Sequence, residues 1–355
     1  MKKKILIHSV LICFASYGQE YSFIPDSLKL LPIQELVKKE PPADFEPVYY
    51  ENGTKASFKD VLPLIMEQKL MPQMFVAENG EYKALVVKSL LKNEDIRIVY
   101  DNIPESLEKQ GYSYGNPDSD TIIINIMGGP ENYLTTYGFE ARYSITGGID
   151  ENNYFLINMR ESQTLQPEET EKEEISWEQA TNYNEKTTQT LFELISFFKS
   201  QKKKVYVVGG SYGSFVALNS LFKHKNIADK YLLFVGRLDM TEEVSEAYSK
   251  GFKAKFESDG ITPQIGEKSD NIYTVNMRKI ASAISRDEKY TELLKDIDLS
   301  NLIYIYIEND QSVGKLTQHE IEFLESKNAE VISVKGEHGN WIEHLKMGLQ
   351  LLSDK

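Results

Sequence analysis

One serine is set among glycines at Gly209-Gly210-Ser211-Tyr212-Gly213, giving Gly-x-Ser-x-Gly at positions 209, 211 and 213. The apolar run Val205 to Val208 precedes it, and Ser214 to Leu218 follows with the character of a helix. That context suits nucleophilic chemistry. A serine projecting from a tight strand-to-helix turn needs neighbours without a Cβ, and the following helix aims N–H groups and its positive end at a developing oxyanion. A phosphate loop is also glycine-rich, but no lysine stands in the place that chemistry requires.

A serine hydroxyl attacks only when a base takes its proton. The chain has five histidines. His8 belongs to the N-terminal leader, His224 lies near the end of the helix after Ser211 in a C-terminal capping position, His319 is on a polar helix face, and His344 is inside the closing helix. His338 differs, standing in the loop Lys335-Gly336-Glu337-His338-Gly339-Asn340 directly after the last strand. The carboxyl ends of parallel strands are where such a sheet gathers its catalytic groups. The carboxylate that orients the imidazole is expected between serine and histidine in the chain. Asp310, three residues past a strand ending at Ile307, is preferred, with Glu308 beside it and Asp239 after the strand ending at Val235 as alternatives. For the oxyanion, Tyr212 N–H supplies one donor, and Gly128 and Gly129 in Ile126-Met127-Gly128-Gly129-Pro130-Glu131 are candidates for the second.

These residues need a scaffold that brings strand ends together. Residues 19–83 lack a strong period and are punctuated by Pro25, Pro32, Pro41-Pro42 and Pro47; only Phe58 to Leu70 reads as helix, so this part is an N-terminal extension or small module. From residue 84 onward, β-rich runs alternate with helices. Strands are expected at Ala84 to Val87, Ile96 to Tyr100, Thr121 to Ile126, Tyr154 to Ile157, Val205 to Val208, Tyr231 to Val235, Leu302 to Ile307 and Val331 to Val334. Helices are expected at Trp177 to Ser200, Tyr212 to Lys223, around Leu316 to Lys327, and Trp341 to Leu352, with a helical insert over 241–298. The alternation predicts an α/β fold, a mostly parallel sheet with helices on both faces.

Composition narrows the function classes. Met1-Lys2-Lys3-Lys4, a short apolar run and small residues up to Gly18 predict a signal peptide over 1–18 and an exported, periplasmic or extracellular protein with no stable membrane insertion after cleavage. The net charge of −14, or −17 without the three lysines, disfavours nucleic acid and anionic membranes as partners. Cys13 is the only cysteine and falls in the leader, which excludes disulfides and thiolate chemistry from the mature chain. The scattered histidines show no metal-ligand spacing, and no cofactor is implied.

Over 84–355 the sequence resembles the α/β-hydrolase family, with serine, acid and histidine in the family's chain order. Gly128-Gly129-Pro130 and Gly209-Gly210-Ser211-Tyr212-Gly213 resemble the oxyanion and nucleophile motifs of its prolyl-iminopeptidase-like branch. The resemblance implies a small peptide or ester substrate and a helical cap formed by 241–298. Three positions depart from that pattern: Met127 replaces a common histidine, Ser214 a common glycine, and Asn158-Met159-Arg160-Glu161 stands where Asp-x-Arg-Gly is common. Two functions are therefore carried forward, an exported serine hydrolase and a non-catalytic binding or surface protein that retains the scaffold.

Overall fold

The computed structural model describes residues 21–25, 27–31, 45–66, 70–89, 95–134, 136, 143, 153–285 and 289–353. The expected leader at 1–18 lies outside the described residues. The chain divides into two compact units, residues 1–95 with 135–147, and residues 96–134 with 148–355.

The first unit is built on a five-stranded sheet of order β1-β4-β5-β2-β3. Its strands are β1 (Lys29–Leu30), β2 (Val48–Tyr50), β3 (Lys55–Ala56), β4 (Leu70–Val76) and β5 (Tyr82–Ser89), with helix α1 (Phe58–Met66) between β3 and β4. Alternate residues of β5 serve two cores. Leu85 and Val87 pack with Phe45, Val48, Val61 and Ile65, whereas Ala84 and Val86 pack with Tyr21, Ile24 and Phe75. Ala84 to Val87 is thus a strand as expected, but it belongs to this first sheet. Its local β preference carries no information about which sheet it joins.

The second unit contains α2 (Glu105–Glu108), β6 (Gly111–Gly115), β7 (Thr121–Ile126), β8 (Phe155–Met159), α3 (Glu168–Lys172), α4 (Trp177–Ser200), β9 (Lys204–Gly210), α5 (Tyr212–His224) and β10 (Lys230–Phe234). After β10 come α6 (Glu242–Ser249), β11 (Phe252–Phe256), β12 (Pro263–Lys268), α7 (Ile272–Ser285), α8 (Tyr290–Leu293), β13 (Leu302–Ile307), α9 (Gln318–Ser326), β14 (Glu330–Val334) and α10 (Trp341–Ser353). Seven strands form one sheet of order β14-β13-β10-β9-β7-β8-β6, in which only the edge strand β6 runs antiparallel to its neighbour. The central strands read as continuous apolar runs because both faces are covered. Tyr231 and Leu233 of β10 join Leu191, Leu194 and Leu218 from α4 and α5 in the main core. Leu232 faces the other way, toward α10, where a Cβ on Gly348 would stand 2.5 Å from it.

Local chemistry fixes the helix starts. Ser176 and Gln179 form a reciprocal capping box at α4, and Thr317 and Glu320 form another at α9. Two further expectations differ from the structure. Ile96 and Ile98 are buried in alternation with exposed Arg97 and Val99, but the run is not a strand. The Ile98 N–H goes to the Glu108 carbonyl at 2.7 Å, and the Val99 N–H goes to Ser113 Oγ at 2.8 Å. The segment 241–298 holds α6, α7 and α8 but is not purely helical, because β11 and β12 pair as an antiparallel ribbon within it. Ala254 and Phe256 point inward from that ribbon to Val244 and Ala247 of α6. Such a period of two over so short a stretch is easily overlooked.

Candidate active site

Every expected site residue lies in the second unit, in a segment that follows the carboxyl end of a parallel strand. Ser211 joins β9 to α5 with φ 52° and ψ −118°, a conformation rare for any residue with a Cβ. The turn is possible because its surroundings leave no room for side chains. A Cβ on Gly209 would lie 2.6 Å from the Gly213 carbonyl, one on Gly213 would lie 2.6 Å from the Ile126 carbonyl, and one on Gly210 would lie 2.7 Å from the Phe234 ring. The Ser211 N–H donates to the Phe234 carbonyl at 3.0 Å, fixing the turn to β10. Ser214, the departure from glycine, is fully buried and donates its hydroxyl to the carbonyls of Gly209 at 3.0 Å and Phe234 at 3.2 Å. The substitution therefore adds a tie across the turn.

The oxyanion candidates lie beside the serine turn. Tyr212 opens α5, so its N–H is among those that a helix leaves without an internal acceptor. Its ring is 3% exposed, and the phenol donates to Asn184 Oδ1 at 2.5 Å; burial pushes that hydroxyl far above its ordinary pKa. A Cβ on Gly128 would stand 3.6 Å from Ser211 Cβ, which places this glycine in direct contact with the nucleophile turn. Gly129 follows it in the same loop. Met127, where histidine is common in the resembling family, is buried against Ile96 and Leu134.

On the neighbouring strand ends, His338 Nδ1 lies 2.7 Å from Asp310 Oδ2. Asp310 is 1% exposed, and its Oδ1 accepts from the N–H groups of Ser312 at 2.8 Å and Val313 at 3.1 Å. With Nδ1 donating to the carboxylate, Nε2 is the nitrogen left to accept a proton. The two alternative acids are engaged elsewhere. Glu308 Oε1 accepts from Ser333 Oγ at 2.6 Å, and Asp239 Oδ2 accepts from Thr291 Oγ1 at 2.6 Å. The serine leg is open: among the described residues, Ser211 makes no side-chain capping bond and no hydrogen bond to His338.

The remaining histidines are accounted for in part as expected. His319 is exposed on α9. His224 ends α5 with its ring stacked on Phe192 at 4.2 Å. His344 lies inside the closing helix as expected, but its position in the sequence gives no sign of its surroundings. It is 4% exposed with Nε2 lacking a partner, and desolvation lowers its pKa, with smaller effects from Glu343, Asp310 and His338. Glu161 is the other residue with no advance signal beyond a mismatch to a family motif: it is buried next to the Gly128–Gly129 loop and is pushed up to about 8, chiefly by desolvation. No group of His, Cys, Asp and Glu among the described residues could hold a metal ion, and no described helix is long and apolar enough to cross a membrane.

No family model and no curated protein matches the chain. Among solved structures it is similar to an alpha/beta hydrolase enzyme, MGS-M2, from a deep-sea metagenome library, at 14% identity and TM-score 0.40, covering 68% of this chain and 91% of that one. It is also similar to a lipase-esterase related protein from Clostridium acetobutylicum, at 14% identity and TM-score 0.43 with 69% and 99% covered. A bromoperoxidase from Bacillus anthracis is similar at 16% identity and TM-score 0.40, with 68% and 93% covered. Those likenesses are too distant to assign a role to any residue. The chain's own topology is decisive: seven strands with one antiparallel edge, a strained serine at the end of a central strand, and an acid and a histidine after the last two strands, β13 and β14. The chain has the α/β-hydrolase fold.

Proposed function

We propose that this chain is a serine hydrolase in which Ser211 is the nucleophile, His338 the general base and Asp310 the orienting acid. The observation that carries the reading is the Asp310–His338 pair at 2.7 Å on the sheet rim where the strained Ser211 emerges. Ser211 Oγ attacks an acyl carbon as its proton passes to His338 Nε2, and Asp310 stabilises the imidazolium that results. Tyr212 N–H and a Gly128 or Gly129 N–H receive the oxyanion. Collapse of that intermediate breaks the bond to the leaving group, which takes the proton from Nε2; water then enters, activated by the same base, and releases the acid from Ser211. The open Ser211–His338 leg is compatible with this, since catalytic hydrogen bonds are often long before substrate binds.

The substrate class we propose is a small peptide, amide or ester, on the strength of the paired glycine motifs, and the site of action is outside the cytoplasm, on the strength of the basic and apolar start. The test is turnover of short-chain p-nitrophenyl esters and of aminoacyl-naphthylamides by wild type and Ser211→Ala. Turnover by wild type alone supports the reading, and the preferred series tells esterase from aminopeptidase. The same open leg favours one second reading, a binding protein that keeps the scaffold, which is supported if correctly folded protein turns over neither series and takes up no fluorophosphonate.

A further inference from the structure

The end of β8 continues into Arg160 and Glu161, each 1% exposed. Glu161 Oε2 accepts from the Glu131 N–H at 3.1 Å and from Gln163 Nε2 at 2.5 Å, and the same Gln163 amide reaches the Glu131 carbonyl at 2.8 Å. Glu131 is therefore gripped by its backbone on both sides, three residues after Gly128. The other oxygen, Glu161 Oε1, is buried without a hydrogen-bond partner among the described residues and would lie 3.4 Å from a Cβ on Gly129. A carboxyl thus stands directly against the glycine loop that flanks Ser211.

The support is itself held. The Glu161 carbonyl accepts from Thr164 N–H at 2.9 Å and Oγ1 at 2.8 Å, while Ser162 bonds Thr187 Oγ1 at 2.9 Å and the Tyr183 carbonyl at 2.8 Å, both from α4. A side chain fixed this firmly to the backbone of a candidate oxyanion loop has a definable job. We propose that Glu161 is a positioning residue that sets the geometry of the Gly128–Glu131 loop for oxyanion binding. This inference rests on the serine-hydrolase reading and goes beyond it, because Glu161 belongs to none of the three triad roles.

Ionisation of Glu161 would leave both bonds donated to it in place but would set a charge beside the oxyanion loop. A negative charge here would face the donors that must stabilise an oxyanion, and the low local dielectric would enlarge that repulsion. Desolvation is the main cause of its raised pKa of about 8; the Glu131 charge adds to it, and the bonds from the Glu131 N–H and Gln163 oppose it. The other ionisable groups around it come from several elements. Glu131 is in the glycine loop with its carboxylate bonded by Tyr273 of α7, Tyr212 opens α5, and Arg160 precedes Glu161 on the strand end. As the pH rises through about 8 the carboxyl gains its charge, and the expected consequence is a fall in kcat from repulsion of the oxyanion.

The experiment is the pH profile of kcat and KM for p-nitrophenyl acetate, taken from about pH 6 to about 9 with wild type, Glu161→Gln and Glu161→Ala. In wild type, kcat should fall as pH rises through about 8 with KM little changed. Glu161→Gln, which keeps an acceptor but cannot ionise, should hold kcat within about threefold at neutral pH and lack that alkaline fall. Glu161→Ala should lose roughly 100-fold in kcat across the range, as a misplaced loop does. An unchanged alkaline limb in Glu161→Gln, or wild-type kcat in Glu161→Ala, overturns the proposal; if the alanine variant does not fold, the glutamine profile decides alone. Wild type that hydrolyses no ester and takes up no fluorophosphonate removes the hydrolase reading itself, whereas an active wild type indifferent to residue 161 removes only this inference.

Discussion

Asp310 and His338, 28 positions apart in the chain, meet through a 2.7 Å contact between Oδ2 and Nδ1. The Ser312 and Val313 N–H groups hold the other carboxylate oxygen, so Asp310 cannot rotate without losing two backbone bonds. The imidazole is thereby presented with Nε2 free to act. This pairing leads to the first prediction.

Asp310→Asn keeps the size of the side chain but offers a donor or a neutral acceptor in place of a carboxylate. The His338 tautomer is then no longer specified, and kcat should drop by about 10⁴ with the fold intact. Steady-state kinetics on the best ester or naphthylamide substrate, with circular dichroism as the fold control, provides the check.

Asp239 separates the alternative acids. Its carboxylate is bound to the Thr291 hydroxyl at 2.6 Å and the Thr291 N–H at 3.3 Å. Asp239→Ala should loosen the start of α8 and lower stability by about 1 kcal/mol, while the rate of active-serine labelling stays within about twofold of wild type. A labelling rate as low as that of Asp310→Ala would transfer the orienting role to Asp239.

Ser214 is a structural prediction near the chemistry. Removing its hydroxyl leaves the Gly209 and Phe234 carbonyls without that donor in a fully buried setting. Ser214→Ala should lower unfolding free energy by about 1 kcal/mol, read as a shifted midpoint in urea with an unchanged slope.

Glu161 also predicts how stability depends on pH. Its carboxyl is raised from 4.5 to about 8, so the folded protein binds its proton more tightly than the unfolded chain. The resulting stabilisation is complete below the unfolded value and is lost as pH rises through the folded one. Between pH 4.5 and about 8 the melting temperature of wild type should therefore decline relative to that of Glu161→Gln, which lacks this proton. Parallel melting curves for the two proteins across that interval would contradict the assignment.

The nucleophile turn was legible because its chemistry constrains types and spacing together. Only glycine fits where a Cβ would meet the backbone at 2.6 Å, and such places are visible in a sequence. The long apolar strands β7, β9, β10 and β13 were legible for a similar reason, since burial on both faces leaves no polar alternation. The first sheet was not. Its strands pair across distant positions, β1 with β4 and β2 with β5, and short runs such as Val48–Tyr50 say nothing of their partner. The edge strand β6, Gly-Tyr-Ser-Tyr-Gly, has too few branched residues to announce itself. In the sequence Glu161 stands out only as a mismatch to a family motif, because the identity of a residue does not reveal that its carboxyl is buried against a loop 30 positions earlier. His344 has the same character, a helix residue whose proximity to the acid and base is set by tertiary packing.

The most direct test of the central claim is fluorophosphonate labelling followed by peptide mapping of the native protein. The account predicts one phosphonylated residue, Ser211, with labelling abolished in Ser211→Ala and strongly slowed in His338→Ala. Modification at another serine, or equal labelling of the Ser211→Ala variant, would contradict it.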